Sequence, residues 1–370
     1  MKLAFLAVCH LTASLTAADL AVGNEASGEI KEFLADTVAR EEIPGLVGAI
    51  TSSKGVLALG SAGVRKHGSE VAISDADLIH LGSCTKAMTS SMIGTLVKEG
   101  ALGWETSLIE ALPDLKGAID PSFYSVTLWQ LLTHRGGVPA NAKDWSSHAR
   151  MPLIERRIAL LKENLKLPAA HKKGSYLYSN LGYMIAGCIA ERATGLTWES
   201  MMQKRLFTPL GMKSAGFGSP GALGDVDQPW GHRRSEGKWS PRQFDNAPSL
   251  GPAGRIHCSM SDWARFLGCY LPTGERLGLG QDGLKKLVTP IGQYAGGWIV
   301  AKRPWAKGVV LTHSGSNTMW YATVWLAPNL DRAFVVATNC RDERSHGICD
   351  QVIGRLIRIN QSFVPAGETP

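Results

Sequence analysis

The segment His80-Leu81-Gly82-Ser83-Cys84-Thr85-Lys86 sets a serine at the start of an expected helix and a lysine three residues later. Residues three apart share a helix face, so the Ser83 hydroxyl and the Lys86 amine can meet. A serine hydroxyl is a weak nucleophile until a base takes its proton, and a lysine held in a dry pocket has its pKa lowered toward that task. The partial positive charge of the helix N-terminus falls where negative charge would develop. The chemistry this pair could carry is nucleophilic attack by Ser83. Alone the pair is weak evidence, because a chain this rich in both residues shows roughly one Ser-x-x-Lys by chance.

Two further motifs follow in order. Tyr178-Ser179-Asn180 opens a strongly apolar helical pattern, and His313-Ser314-Gly315 ends a strand pattern. With them stand Leu131-Leu132-Thr133-His134-Arg135-Gly136-Gly137, Gly251-Pro252-Ala253-Gly254 and Ser261-Asp262-Trp263-Ala264-Arg265-Phe266-Leu267. On these residues the sequence, over most of 26 to 360, resembles the serine β-lactamase and penicillin-binding-protein superfamily. The motifs of that superfamily are Ser-x-x-Lys, Tyr-x-Asn or Ser-x-Asn, and Lys-Thr-Gly or a His-containing variant. The likeness is to class C β-lactamases, D-peptidases and family VIII-type esterases.

The resemblance implies a β-lactamase/transpeptidase-like fold and a set of roles. Ser83 would attack the carbonyl, Lys86 would accept or relay its proton, and Tyr178 would serve as partner base and later activate water. Asn180 would hold Lys86 and the substrate amide. Backbone N–H groups of Ser83 and Ser316 would form the oxyanion hole. His313, Ser314 and Gly315 would line the substrate, Gly315 by leaving the strand edge open to the acyl group. On motif evidence alone Tyr178 could instead be a packed aromatic at a helix start, and His134 reads as a structural hydrogen-bonding residue.

The departure from the superfamily pattern is His313, where most β-lactamases carry lysine. An unperturbed histidine titrates near ~6.5, so it would be mostly neutral at pH 7 and would become a cation only on acidification. Superfamily members with histidine here look like D-peptidases, D-amino-acid amidases and esterases. Hydrolysis of an ester or a D-configured amide or peptide therefore ranks above β-lactam destruction. A class C type β-lactamase and a penicillin-binding sensor that acylates without turnover are the alternatives. Should His313 supply no cation, Arg341 after the last strand is the first substitute.

No cofactor or metal is expected. There is no Gly-x-Ser-x-Gly elbow, no His-Glu-x-x-His and no paired Cys-x-x-Cys. Gly278-x-Gly280-x-x-Gly283 matches a dinucleotide fingerprint but follows a loop and lacks the acidic residue about 20 positions on, so it reads as a turn before a helix. The net charge of +7 is scattered, without basic runs interleaved with aromatics, which argues against nucleic acid. The expected partner is a small-molecule or peptide-like acyl substrate; oligomeric state stays open.

The elements that must position these residues can be read from periodicity. Ile30, Phe33, Leu34 and Val38 predict a helix stopped by Pro44, then a strand from Gly45 to Ile50, a turn at Ser53-Lys54-Gly55 and a second strand from Val56 to Val64. Helical patterns fall at Thr85 to Lys98, Thr127 to Thr133, Pro152 to Leu165, Asn180 to Thr194 and Ser261 to Leu271. Strands return at Gly297 to Lys302, Val309 to His313, Tyr321 to Leu326 and Ala333 to Thr338. A closing helix presents Ile348, Val352, Ile353, Leu356 and Ile357 on one face.

The economical packing is an α/β (α+β) fold: a central antiparallel sheet flanked by the N- and C-terminal helices, with a mostly helical insertion. In residues this is one hydrolase domain over 26–365, its sheet part about 26–82 plus 290–365 and its insertion about 87–289. Met1, Lys2, the apolar stretch Leu3 to Leu15 and Thr16-Ala17-Ala18 have the three-part layout of a signal peptide over 1–18, which predicts export to the periplasm or outside the cell. No later run is long enough to span a membrane. Six cysteines remain after that leader; Cys340 and Cys349 could close a short loop, Cys188 reads as a small buried hydrophobe, and no disulfide is assigned.

Overall fold

Two distant stretches of the chain, each dense in small and β-branched apolar residues, pair into one sheet. The computed structural model describes residues 17–272 and 277–363. Its main sheet has six antiparallel strands: β1 (Gly45–Ser52), β2 (Gly55–Gly63), β3 (Ile299–Arg303), β4 (Gly308–Ser316), β5 (Tyr321–Ala327) and β6 (Arg332–Thr338). Their order is β2-β1-β6-β5-β4-β3, so the first and last of these six strands in chain order pair directly, in the register Leu46↔Thr338 to Thr51↔Ala333. Every residue of β1 is buried. That burial on both faces explains why β1 reads as a continuous apolar run and not as an alternation.

Helix α1 (Ala17–Glu41) and helix α4 (Ser345–Phe363) cover one face, packing Ile30, Leu34, Val352, Ile353 and Leu356 against Leu46, Ile50, Phe334 and Val336. Alternate residues Val47, Ala49, Val335 and Ala337 point to the other face, into the larger core shared with the helical region. The sheet and its two covering helices thus match the expected α/β architecture. Of the leader expected over 1–18, residues 1–16 lie outside the described residues, and Ala17 and Ala18 open α1.

Helix α2 (Thr85–Lys98) runs through the middle of the molecule, with Thr85 to Leu96 all buried. A helix hidden all round presents no apolar stripe, so its serines and threonines must find partners inside: Thr89 donates to Pro252 O at 2.8 Å and Ser91 to Ala87 O at 2.8 Å. Helix α3 (Asn180–Thr194) packs beside it, started by Ser179, whose hydroxyl accepts from Gly182 N–H at 2.8 Å, and ended by Gly195 at a left-handed φ of 69°.

The stretch 87–289 also carries strands Gly216–Phe217, Gly231–Ser235, Lys238–Arg242 and Ile256–Cys258 within two three-stranded sheets. Segments such as Gly231-His232-Arg233-Arg234-Ser235 are too short and too polar to announce themselves by alternation. Helix Gly280–Val288 accounts for the glycine pattern at 278–283 as a turn leading into a helix.

Behind α3 sits a buried ion cluster. Arg157 pairs with Glu191 of α3 and, at 2.6 Å, with Glu199, and Glu191 also accepts the Trp198 N–H at 2.9 Å. Burial pushes the Glu191 carboxyl up despite the neighbouring guanidinium. Arg157→Met removes the charge that compensates a carboxylate taken out of water, and is expected to lower the urea-unfolding free energy at pH 7 by about 3–5 kcal/mol. A loss below about 1 kcal/mol would show that Glu191 is tolerated without it.

Candidate active site

Ser83 lies in a single 3-10 turn, Gly82–Cys84, that runs straight into α2. Gly82 has a left-handed φ of 49°, and a Cβ there would stand 2.2 Å from Ser316 N. On the facing strand a Cβ on Gly315 would stand 2.0 Å from Leu81 O and 2.5 Å from Ser83 N. Neither position admits a side chain. The two glycines let the Ser83 turn and the end of β4 meet backbone to backbone, which brings together the Ser83 and Ser316 peptides. The requirement at Gly315 is therefore this contact with the Leu81–Cys84 backbone, a reason the sequence reading did not give. Beyond the Ile299↔Thr312 pair β4 has no partner on its β3 side, while Ser314 and Ser316 remain paired to Thr323 and Tyr321 of β5. The Ser314 hydroxyl shares a 3.0 Å hydrogen bond with that of Thr323.

One turn on from Ser83, at the start of α2, Lys86 is 0% exposed. Its Nζ donates to Asn180 Oδ1 at 2.8 Å and to Ala253 O at 2.8 Å, and lies 3.0 Å from Ser83 Oγ in hydrogen-bond contact. Among the described residues no carboxylate pairs with it. Burial pushes the Lys86 amine well below its ordinary value, opposed only in part by Cys84. Asn180 is itself oriented by donating from Nδ2 to Asn141 Oδ1 at 2.8 Å, a partner the sequence did not reveal.

The Tyr178 ring stands 4.8 Å from Lys86 Nζ, measured to its centroid. Burial pushes the Tyr178 phenol up, and the nearby Ser83 hydroxyl works the other way without cancelling it. His134 packs among Tyr176, Tyr178, Tyr183 and Tyr294, and its Nδ1 accepts the Ser179 N–H at 3.0 Å. That bond fixes the backbone between Tyr178 and Asn180.

His313 departs from the expectation of a residue that faces substrate and gains charge in mild acid. It is 4% exposed; its Nε2 contacts Tyr294 Oη at 3.0 Å and its Nδ1 contacts Ser314 O at 2.7 Å. A carbonyl oxygen only accepts, so the ring proton sits on Nδ1 and Nε2 accepts from the tyrosine. Burial, then the charge of Lys86, push His313 down to about 3. Both ring nitrogens are occupied, and the imidazole stays neutral. Tyr294, which links it to the aromatic cluster, carried no sequence signal.

A second network steadies the Ser83 turn. His80 Nδ1 accepts the Gly82 N–H at 3.1 Å, while His80 Nε2 lies 3.0 Å from Asp245 Oδ1. Asp245 also accepts from Asn317 Nδ2 at 2.9 Å and from Arg255 Nε at 3.2 Å. Burial alone would raise this carboxyl, but His80, Asn317 and Arg255 outweigh it and hold it at about 2. Through Asp245 the residue before Ser83 and the residue after Ser316 are tied to one anion. His80 belonged to the recognised segment; Asp245, more than 160 positions away, could not be linked to it by spacing.

Among the described residues no cluster of His, Cys, Asp and Glu could hold a metal ion, and no helix is long and apolar enough to cross a membrane. Cys84, Cys188, Cys258, Cys269, Cys340 and Cys349 are all buried and none forms a disulfide; Cys9 lies outside the described residues.

The chain matches the family model described as Beta-lactamase over residues 30–355. It is 26% identical over 227 residues to penicillin-binding protein 4 of Amycolatopsis lactamdurans, covering 58% of this chain and 56% of that one. It is 30% identical over 160 residues to the lovastatin esterase of Penicillium rubens, covering 38% and 40%. The chain thus spans about half the length of the curated relatives it matches. In structure it resembles the D-amino acid amidase of Ochrobactrum anthropi SV3, with a TM-score of 0.73 at 19% identity over 91% of this chain and 99% of that one, a likeness of fold. With the fold and the matched region in agreement, this chain belongs to the beta-lactamase family.

Proposed function

We propose that this protein is an exported serine hydrolase that forms and then hydrolyses an acyl-Ser83 intermediate on an ester or a D-amino-acid amide or peptide. The observation that carries the proposal is the setting of Lys86. Two of its contacts, Asn180 Oδ1 and Ala253 O, can only accept, and the third is the Ser83 hydroxyl, which can also donate. A neutral amine has two N–H bonds and one lone pair; with both N–H groups spent on the acceptors, the lone pair faces Ser83 Oγ.

The steps follow from that arrangement. As Ser83 Oγ bonds to the carbonyl carbon, its proton passes to Lys86, and the oxygen charge falls toward the N–H groups of Ser83 and Ser316. Collapse breaks the bond to the leaving group, which takes a proton. Tyr178 suits this step as a neutral donor beside Ser83: a pair of groups whose surroundings drive the amine down and the phenol up divides into base and acid. This reading makes Tyr178 a proton relay, where the motif alone implied a partner base. Lys86 then returns its proton to Tyr178 and is neutral again; water attacks the acyl-enzyme, losing its proton to Lys86, which passes it to Ser83 Oγ as that oxygen leaves.

The substrate class rests on the strand edge. No lysine stands at 313, and the neutral, doubly bonded His313 offers a substrate carboxylate no cation. An esterase among the relatives and a D-amino acid amidase among the structural neighbours are consistent with that preference. The signal-like layout of residues 1–18 supports export to the periplasm or beyond.

Ser83→Ala is expected to abolish the mass adduct left by an activated ester, and Lys86→Ala to slow acylation by about 10³-fold or more, because members of a coupled group lose most of their effect together. Tyr178→Phe should slow turnover by roughly 10²-fold. Wild-type ester turnover in Ser83→Ala would overturn the assignment. In wild type the adduct should be transient by time-resolved intact mass; a persistent one would mark a sensor that does not turn over.

A histidine pushed down to about 3 gains no charge between pH 8 and pH 5.5. The ratio of cephalosporin to neutral-ester acylation should therefore stay flat across that range. A rise on acidification, abolished by His313→Gln, would return His313 to the role of a substrate-facing cation.

A further inference from the structure

One member of the aromatic cluster around Tyr178 stands in water. Tyr183 and Tyr294 are buried, whereas Tyr176 is 49% exposed. Its ring still belongs to the group: it lies edge-on to His134 at 5.9 Å between centroids, and 5.9 Å from Tyr294. Tyr178 packs on the same two rings, at 4.3 Å and 6.4 Å. Two residues of chain span at most about 7 Å, so the exposed ring stands beside the one that reaches Ser83.

The exposed ring sits on a fixed backbone. Arg135 Nη1 donates to Gly174 O at 2.7 Å while Arg135 O accepts the Gly174 N–H at 2.8 Å, and His134 O accepts the Leu177 N–H at 2.9 Å. Tyr176 is thus held between two anchored neighbours, with the Arg135 guanidinium 5.9 Å from its ring centroid. The other arm of that guanidinium, Nη2, donates to Ile291 O at 2.8 Å, and Ile291 N–H donates to Tyr294 O at 3.0 Å. A Cβ on Gly292, at φ 68°, would stand 2.8 Å from Nη2, so glycine is required where this turn passes the arginine. One side chain therefore ties the segment of Tyr176 to the turn that leads to Tyr294. A tyrosine held in this way offers a large apolar face and loses little conformational freedom when a ligand covers it.

The side of the site follows from the proton. In the acyl-Ser83 reading Tyr178 protonates the leaving group, so the departing oxygen or nitrogen lies against Tyr178 and the atoms beyond it pass Tyr176. We propose that Tyr176 is a specificity-determining residue, a shelf for the leaving group, and that the enzyme prefers esters and amides whose departing alcohol or amine carries an aromatic or extended apolar body. The inference rests on the acyl-Ser83 reading. The bond from the carbonyl carbon to the departing atom breaks, its electron pair stays on that atom, and the Tyr178 proton goes there while the apolar body rests on the Tyr176 ring.

Two measurements on the full chain test the shelf and keep it apart from the choice of nucleophile. In the first, kcat/KM is compared for 2-phenylethyl butyrate and ethyl butyrate, which form the same acyl-enzyme and differ in the leaving group. Wild type should prefer the phenylethyl ester by about tenfold or more. Tyr176→Ala should lose most of that preference, and Tyr176→Phe, which keeps the ring, should retain it. The ratio for ethyl hexanoate over ethyl acetate, which reports the acyl side, should be the same in all three enzymes. No phenylethyl preference in wild type, a preference that survives in Tyr176→Ala, or a change that falls on the acyl pair instead overturns the proposal. In the second, the two butyrates are titrated calorimetrically into Ser83→Ala. The phenylethyl ester should bind more tightly, and the difference should vanish in Ser83→Ala/Tyr176→Ala; a difference that persists overturns the shelf. Cleavage of either ester by Ser83→Ala would overturn the nucleophile, and the substrate comparison would still decide the role of Tyr176.

Discussion

A lysine amine sealed from water with no carboxylate beside it must satisfy its hydrogen bonds on neutral acceptors or give up its charge, and most of this site is arranged around that constraint. Lys86 meets it with groups from three remote parts of the chain: Ser83 in its own turn, Asn180 at the start of α3, and the carbonyl of Ala253. Each has its own support. Asn141 holds Asn180, Ser179 and His134 fix the entry to α3, and Thr89, one turn on from Lys86, bonds Pro252 O beside Ala253. The helix that carries Lys86 is buried all round because its amine has to be.

The same low-dielectric setting acts on every titratable group nearby. Burial pushes Lys86, His134 and His313 down and Tyr178, Tyr183 and Tyr294 up, and the charge on Lys86 would push the two imidazoles down further. All of them favour neutrality. Charge enters only next door, at Asp245, which His80, Asn317 and Arg255 hold ionised. The result is a dry cluster of groups pushed toward neutrality beside a fixed anion that braces both backbone segments of the expected oxyanion hole. Donors aimed in advance at a developing charge need no reorganisation when it appears.

Much of this was legible in the sequence because it is written locally. Ser83 and Lys86 share one helix turn, and Ser179 and Asn180 mark a helix start. The inner strands of the main sheet show as apolar runs because they are buried on both faces. What stayed hidden was non-local or polar. Asn141, Tyr294 and Asp245 reach the site from segments without a motif, and the arginine-bearing hairpin at 231–242 has no apolar alternation. His313 shows the limit of reading a residue type by its ordinary pKa. The identity of the side chain was plain, but the tyrosine and carbonyl that occupy its two nitrogens were not, and its burial pushes it away from the charge an ordinary histidine gains in mild acid.

The central claim is that Lys86 is neutral at the pH where Ser83 reacts. Titrating the protein labelled with ¹⁵N at lysine Nζ, with Lys86→Met to assign the resonance, measures this directly. The Lys86 signal should lose its proton well below the ordinary lysine value of about 10.4, with the same midpoint as the rise in Ser83 acylation rate. A Lys86 that stays protonated up to about pH 10 while acylation is already at its plateau would contradict the account and move the base elsewhere.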